Sequence, residues 1–205
     1  MHKKEIYTAG KELREAEKVL VLIHGRGGSA KEFLSLANQL NPQDFAVLAP
    51  QATDFTWYPN SFLAPVTQNE PEYSSALEVL EELLEDIKET GIASENIYFA
   101  GFSQGACLTL EFVTRYAQRF GGVAAFTGGL IGDKIYTENY SGDFNGTPIF
   151  IGTGDPDPHV PVERVEDSAE ILREMNANVE VKIYKNRPHT ISEDELKLAN
   201  NFIFN

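Results

Sequence analysis

The chain is short of three things, and each shortage removes a class of explanation. It holds one cysteine in 205 residues, Cys107, so no internal disulfide framework braces the fold. Positive charge is scarce: 17 Lys and Arg stand against 31 Asp and Glu, a formal net charge of −14. A balance of that sign argues against nucleic acid as a partner and against stable association with an anionic membrane. The plainer meaning of the surplus is a solvated, self-repelling surface that favours solubility. Long apolar runs are also lacking, since none approaches the roughly 18 residues that span a bilayer. Residues 1–10, MHKKEIYTAG, place lysines ahead of no apolar stretch, unlike a secretory leader. A cytoplasmic location is the resulting expectation.

What is present suffices for a sizeable core. Of the residues, 42% are hydrophobic and 23% charged, and the length suits one domain over 1–205. Short β-type runs alternate with helix-type stretches from end to end. Val19-Leu20-Val21-Leu22-Ile23 is a continuous run of β-formers, the pattern of a strand buried on both faces. Residues 46–49, 97–100, 123–126 and 149–151 repeat it. Val179, Val181 and Ile183 alternate with polar residues and Tyr184, which predicts a half-covered strand nearer the sheet edge. Between the runs, Ser29 and Glu32 form a capping box opening a helix with Phe33, Leu36, Ala37 and Leu40 on one face. Leu77, Leu80, Leu84 and Ile87 step by three and four, as do Val165, Ala169 and Leu172, and a second capping box, Ser192 to Glu195, opens a last helix. Repeated β-then-α units predict an α/β fold: a mostly parallel central sheet flanked by helices on both faces, with ligands at the carboxyl ends of the strands.

Residues 101–106 read GFSQGA. A serine on a sharp strand-to-helix turn sits in a strained conformation, and glycines two positions either side relieve the crowding. A serine hydroxyl is a weak nucleophile alone and needs a histidine held by a carboxylate. The chain supplies both in the order serine, acid, histidine: Ser103 after 97–100, Asp155 and Asp157 after 149–151, and His189 after 179–184. The connection from Ala52 to Tyr73 is longer than a linker needs and carries Trp57, Tyr58 and Phe62, so it is expected to wall the site.

These motifs give the chain a resemblance to the phospholipase/carboxylesterase family of small serine hydrolases, relatives of acyl-protein thioesterases within the α/β-hydrolase fold. The likeness runs nearly full length, through Ile23-His24-Gly25-Arg26-Gly27-Gly28, Trp57-Tyr58-Pro59, GFSQGA, Thr127-Gly128-Gly129-Leu130, D-P-x-V-P and a late His-Thr. It implies an α/β-hydrolase fold with a minimal lid, no cofactor and no metal. The family's acid heads D-P-x-V-P, which selects Asp157. Gln104, the residue after the nucleophile, supplies one oxyanion N–H, and by resemblance Arg26, following His24-Gly25, supplies the other. Trp57, Tyr58, Phe62 and Leu130 are the expected substrate contacts. The implied reaction is acyl-enzyme hydrolysis of small carboxylic esters or thioesters. Lysophospholipase or acyl-protein thioesterase action is the alternative, and a non-catalytic ligand-binding module is the rival from another class. Fold-level analogy permits a homodimer.

The remaining candidates have plainer readings. His24 ends a buried strand and is expected to bond backbone and shape its loop. His159 shares a loop with Asp157 and is awkwardly placed for Ser103, and His2 belongs to a frayed terminus. Cys107 packs as a small buried residue.

Overall fold

The computed structural model describes residues 1–40 and 42–204. Six strands run parallel: β2 (Lys18–Ile23), β3 (Phe45–Pro50), β4 (Ile97–Phe102), β5 (Gly122–Phe126), β6 (Pro148–Asp155) and β7 (Asn178–Lys185). A further strand, β1 (Ile6–Gly10), pairs antiparallel to β3, giving the sheet order β1-β3-β2-β4-β5-β6-β7. The central strands are buried along nearly their whole length, while β7, at the edge, is mostly half-covered. That contrast follows from continuous apolar runs in the former and alternation in the latter. Ile6, Tyr7 and Thr8 of β1 are β-formers, but the stretch is too short to stand alone as a signal; pairing along β3 makes it a strand.

The pleat sends successive side chains to opposite faces. Val19, Val21 and Ile23 enter one core with α2 (Glu72–Glu89), α3 (Gln104–Arg115) and α4 (Val162–Glu174). Leu20 and Leu22 enter the other, with α5 (Glu193–Ile203) and the short α1 (Ala30–Phe33). The stepped leucines of α2 are buried as their spacing predicts, and so are Val165, Ala169 and Leu172 of α4. The capping box opening α5 is complete. The helix expected after Ser29 is instead one α-turn followed by a 3₁₀ stretch over Leu34–Gln39. Leu36, Ala37 and Leu40 are buried all the same, because the apolar face survives the tighter winding.

The loops that leave the carboxyl ends of β2, β4, β6 and β7 meet at one end of the sheet. The connection 52–73 crosses this end.

Candidate active site

Ser103 occupies the turn between β4 and α3 with φ 55° and ψ −119°. A non-glycine residue held there costs on the order of 1–3 kcal/mol and needs its surroundings to hold it. They do: its N–H donates to the Phe126 carbonyl at 2.9 Å, and its carbonyl accepts the Cys107 N–H at 3.0 Å. The flanking glycines are demanded by close approach. A methyl group on Gly105 would strike the carbonyls of Ile23 and His24, and one on Gly101 would strike the Gly105 carbonyl.

Three loops bring the sequence candidates together. The Ser103 hydroxyl lies 2.8 Å from His189 Nε2, and His189 Nδ1 lies 2.8 Å from Asp157 Oδ2. The carboxylate accepts at Nδ1, so that nitrogen carries the proton and leaves Nε2 free to accept from the serine. Asp157 Oδ1 accepts the N–H groups of His159 and Val160 at 2.9 and 3.0 Å, which fixes the carboxylate plane. Burial pushes the Asp157 carboxyl upward. The hydrogen bonds from His189, His159 and Val160 outweigh it and hold the group below the usual range. The His189 ring, about one-fifth exposed, lies between two other rings, Phe102 and His159, each 5.1 Å away between centroids. His159 therefore packs against the imidazole and does not replace it. Asp155, at the end of β6, is exposed.

These groups open into a cleft of about 920 Å³, with Phe33, Tyr58, Phe62, Leu63, Phe102 and Val160 among its apolar walls. Tyr58 and Phe62 line it as the sequence suggested. Trp57 and Leu130 do not, and both correct the expectation. Trp57 is fully buried because its indole N–H donates to the His24 carbonyl at 2.9 Å, which pins the ring behind the loop. Leu130 is fully buried in the core, its N–H held by Ser168 Oγ at 2.9 Å and its carbonyl by Arg164 at 3.0 Å.

His24 behaves as a structural residue. Its Nδ1 donates to the Gly25 carbonyl at 2.7 Å and its Nε2 accepts the Ala52 N–H at 3.1 Å, so it is neutral, in keeping with burial that lowers its pKa. His2 is also corrected, since it is tied down on three sides. Its backbone N–H donates to Ser75 Oγ at 2.8 Å, its Nε2 meets the Trp57 carbonyl at 2.9 Å, and its Nδ1 accepts the Thr53 N–H at 3.1 Å.

Sequence reasoning missed a buried pair beneath the histidine loop. Arg187, two residues before His189, is ion-paired with Glu195 of α5 and donates to Thr127 Oγ1 at 3.0 Å. Glu195 was legible only as the acidic partner of Ser192 in a capping box. Nothing local to either residue signals the other.

Cys107, one turn into α3, is buried, and that burial pushes its thiol up to about 12. Such a thiol carries almost no thiolate near neutrality and is inert. Titration with dithionitrobenzoate at pH 8 is expected to find no reactive thiol in the folded protein and one per chain in guanidinium, matching the single cysteine. Rapid, stoichiometric reaction of the native protein would contradict this.

Comparison with known proteins bears on the family and the fold. Residues 5–205 match the model of the family described as Phospholipase/Carboxylesterase. The chain is 30% identical over 220 aligned residues to acyl-protein thioesterase 1 of Saccharomyces cerevisiae, covering 93% of each. It is 54% identical to a crystal structure of a phospholipase/carboxylesterase from Dyadobacter fermentans, with a TM-score of 0.98 over 100% of this chain and 98% of that one. A Bacillus cereus carboxylesterase structure, 23% identical, shares the fold at a TM-score of 0.78 over 98% of this chain and 93% of its own.

Proposed function

Because the chain belongs to the phospholipase/carboxylesterase family, we propose that it hydrolyses carboxylic esters or thioesters through an acyl-enzyme on Ser103. The observation that carries the reading is the unbroken hydrogen-bonded line from the Ser103 hydroxyl through His189 to Asp157. His189 Nε2 takes the hydroxyl proton as the serine oxygen bonds to the substrate carbonyl carbon. The carbonyl π-electrons move onto oxygen, giving a tetrahedral anion. His189 then returns the proton to the departing alcohol or thiol oxygen or sulfur as that bond breaks. Water, deprotonated by the same nitrogen, repeats the cycle on the acyl-serine and releases the acid.

The tetrahedral oxygen needs two fixed donors. We assign them to the backbone N–H groups of Arg26 and Gln104. Both residues border the cleft beside Ser103, and among the described residues neither N–H is engaged by another protein group. The Gln104 donor lies at the N-terminus of α3, where the helix dipole favours an anion.

The apolar walls at Phe33, Phe62, Leu63 and Val160 suit an acyl chain, whereas the net charge of −14 disfavours work on anionic lipid aggregates. The proposal therefore takes a small, soluble ester or thioester as substrate and residues 1–205 as one cytoplasmic hydrolase domain. Treatment of the folded protein with a fluorophosphonate is expected to phosphonylate the peptide bearing Ser103, as peptide mapping would show. A protein that stays unlabelled, or that labels elsewhere, overturns the reading and favours a non-catalytic binding module.

A further inference from the structure

The connection 52–60 does more than wall the cleft, because it bonds the turn 24–27 at His24, Arg26 and Gly27. His24 takes the Ala52 N–H on its ring at 3.1 Å and the Trp57 indole N–H on its carbonyl at 2.9 Å. Gly27 donates to the Phe55 carbonyl at 2.7 Å. The Arg26 guanidinium donates to the carbonyls of Pro59, Tyr58 and Asn60 at 2.9, 2.9 and 2.6 Å. From the opposite side, Gln104 Oε1 accepts the Trp57 N–H at 2.9 Å, and its Nε2 donates to the Tyr58 carbonyl at 2.8 Å. The two residues assigned an oxyanion-donating N–H therefore both send their side chains to one acceptor, the Tyr58 carbonyl.

We infer that the segment 56–60 is a brace that sets the spacing of the two oxyanion donors, with the side chains of Arg26 and Gln104 as positioning residues. The inference rests on the proposed function, whose oxyanion donors it takes as given. A hydrogen bond to a developing oxyanion loses its value when the donor strays by a fraction of an ångström. The Arg26 backbone lies between Gly25 and Gly27, residues with the least intrinsic stiffness, and Gly27 has φ 75°. Such a turn holds a donor still only if something outside it does the holding. The Gly27 N–H is already spent on Phe55, which leaves Arg26 as the donor on this side. Arg26 is exposed, so its three carbonyl contacts are not needed to fill a core. Their geometric effect is to tie the turn to the segment that Gln104 also grips.

The test is a pair of variants, Arg26→Met and Gln104→Met, with the double variant, assayed on p-nitrophenyl butyrate. Each single change is expected to lower kcat about tenfold, with KM held within about threefold. The double variant should fall short of the product of the singles, since both act on one distance. Affinity for an alkyl trifluoromethyl ketone, which forms a charged tetrahedral adduct with the serine, should fall about as much as kcat. The pH profile of kcat/KM should keep its midpoints, because the brace does not touch His189. Parental kcat in Arg26→Met, a loss confined to KM, or unaltered ketone affinity would each overturn the brace. Ser103→Ala, run alongside, separates the two claims. If it is inactive while Arg26→Met is fully active, only the brace fails; if it is active, the underlying reading fails.

Discussion

A Ser103→Ala protein is expected to fold with an unchanged circular dichroism spectrum and to lose about 10⁴- to 10⁶-fold in kcat on an aryl ester. The methyl group occupies the same elbow, whose backbone bonds to Phe126 and Cys107 do not involve the hydroxyl. What disappears is the atom that bonds the acyl carbon, so only passive catalysis by binding and oxyanion stabilisation is left. Asp157→Asn tests the same line more finely. Its carbonyl oxygen can still accept from His159 and Val160, yet the amide presents N–H to His189 Nδ1 in place of an acceptor. The imidazole must then carry its proton on Nε2, facing a serine it can no longer deprotonate. A loss of about 10⁴-fold follows from that tautomer reversal, with little change in stability. Stopped-flow or steady-state release of p-nitrophenol measures both. Turnover within tenfold of the parent in Ser103→Ala would end the case for a serine nucleophile, and full activity in Asp157→Asn would free Asp157 of its role.

The second large effect is expected from Arg187→Met. Glu195 is fully buried, and its partners are Arg187 and the Ser192 N–H of its own capping box. Asp194 and Tyr184 lie close enough to influence it, the latter beneath the Arg187 guanidinium at 4.9 Å. Removing the arginine strands a carboxylate in the core, a change that typically costs about 3–5 kcal/mol. For a domain of this size the melting temperature should drop on the order of 10 °C. The cost has a definite pH dependence. Burial pushes the Glu195 carboxyl up from 4.5 to about 7, against the pull of Arg187. The folded protein thus holds this proton more tightly than the unfolded chain. The contribution of Glu195 to stability is greatest below about pH 4.5 and is withdrawn as pH climbs toward 7. Without Arg187 the withdrawal continues to higher pH, so Arg187→Met should lie nearer the parent at pH 5.5 than at pH 8.5. A double variant, Arg187→Met with Glu195→Leu, should recover much of the loss by removing the charge itself. Calorimetric melting at the two pH values decides the matter; a pH-independent difference, or none, would show that Glu195 is not the group that matters.

Much of the site was legible because its chemistry is written in local patterns. Continuous runs of Val, Leu, Ile and Phe mark strands buried on both faces, and the glycines around Ser103 mark a turn that no larger residue survives. The meeting of Ser103, Asp157 and His189, on the loops after β4, β6 and β7, then follows from how a parallel sheet collects its loop ends. The departures have a common form. Trp57 and Leu130 were expected in the cleft because aromatic or apolar loop residues suit a substrate wall, yet Trp57 is drawn inward by the His24 carbonyl, and Leu130 by the side chains of Ser168 and Arg164. His2, predicted to fray, is anchored by Ser75, Thr53 and Trp57. The Arg26 side chain had no assigned task until its three carbonyl partners were visible.

The amino-acid order carried the α/β class, the glycine-flanked turn at Ser103 and the three side chains proposed to react, with Asp157 preferred over Asp155 through the family's D-P-x-V-P pattern; each of these signals lies in a short local stretch. The tertiary structure decided which loop residues face the cleft, what holds the turn carrying Arg26, and that Arg187 meets Glu195 and Thr127 beneath His189. Those choices join groups as far as 60 positions apart, as between Arg187 and Thr127. They depend on the path of every intervening loop, and a buried donor or charge takes whichever partner that path brings within about 3 Å.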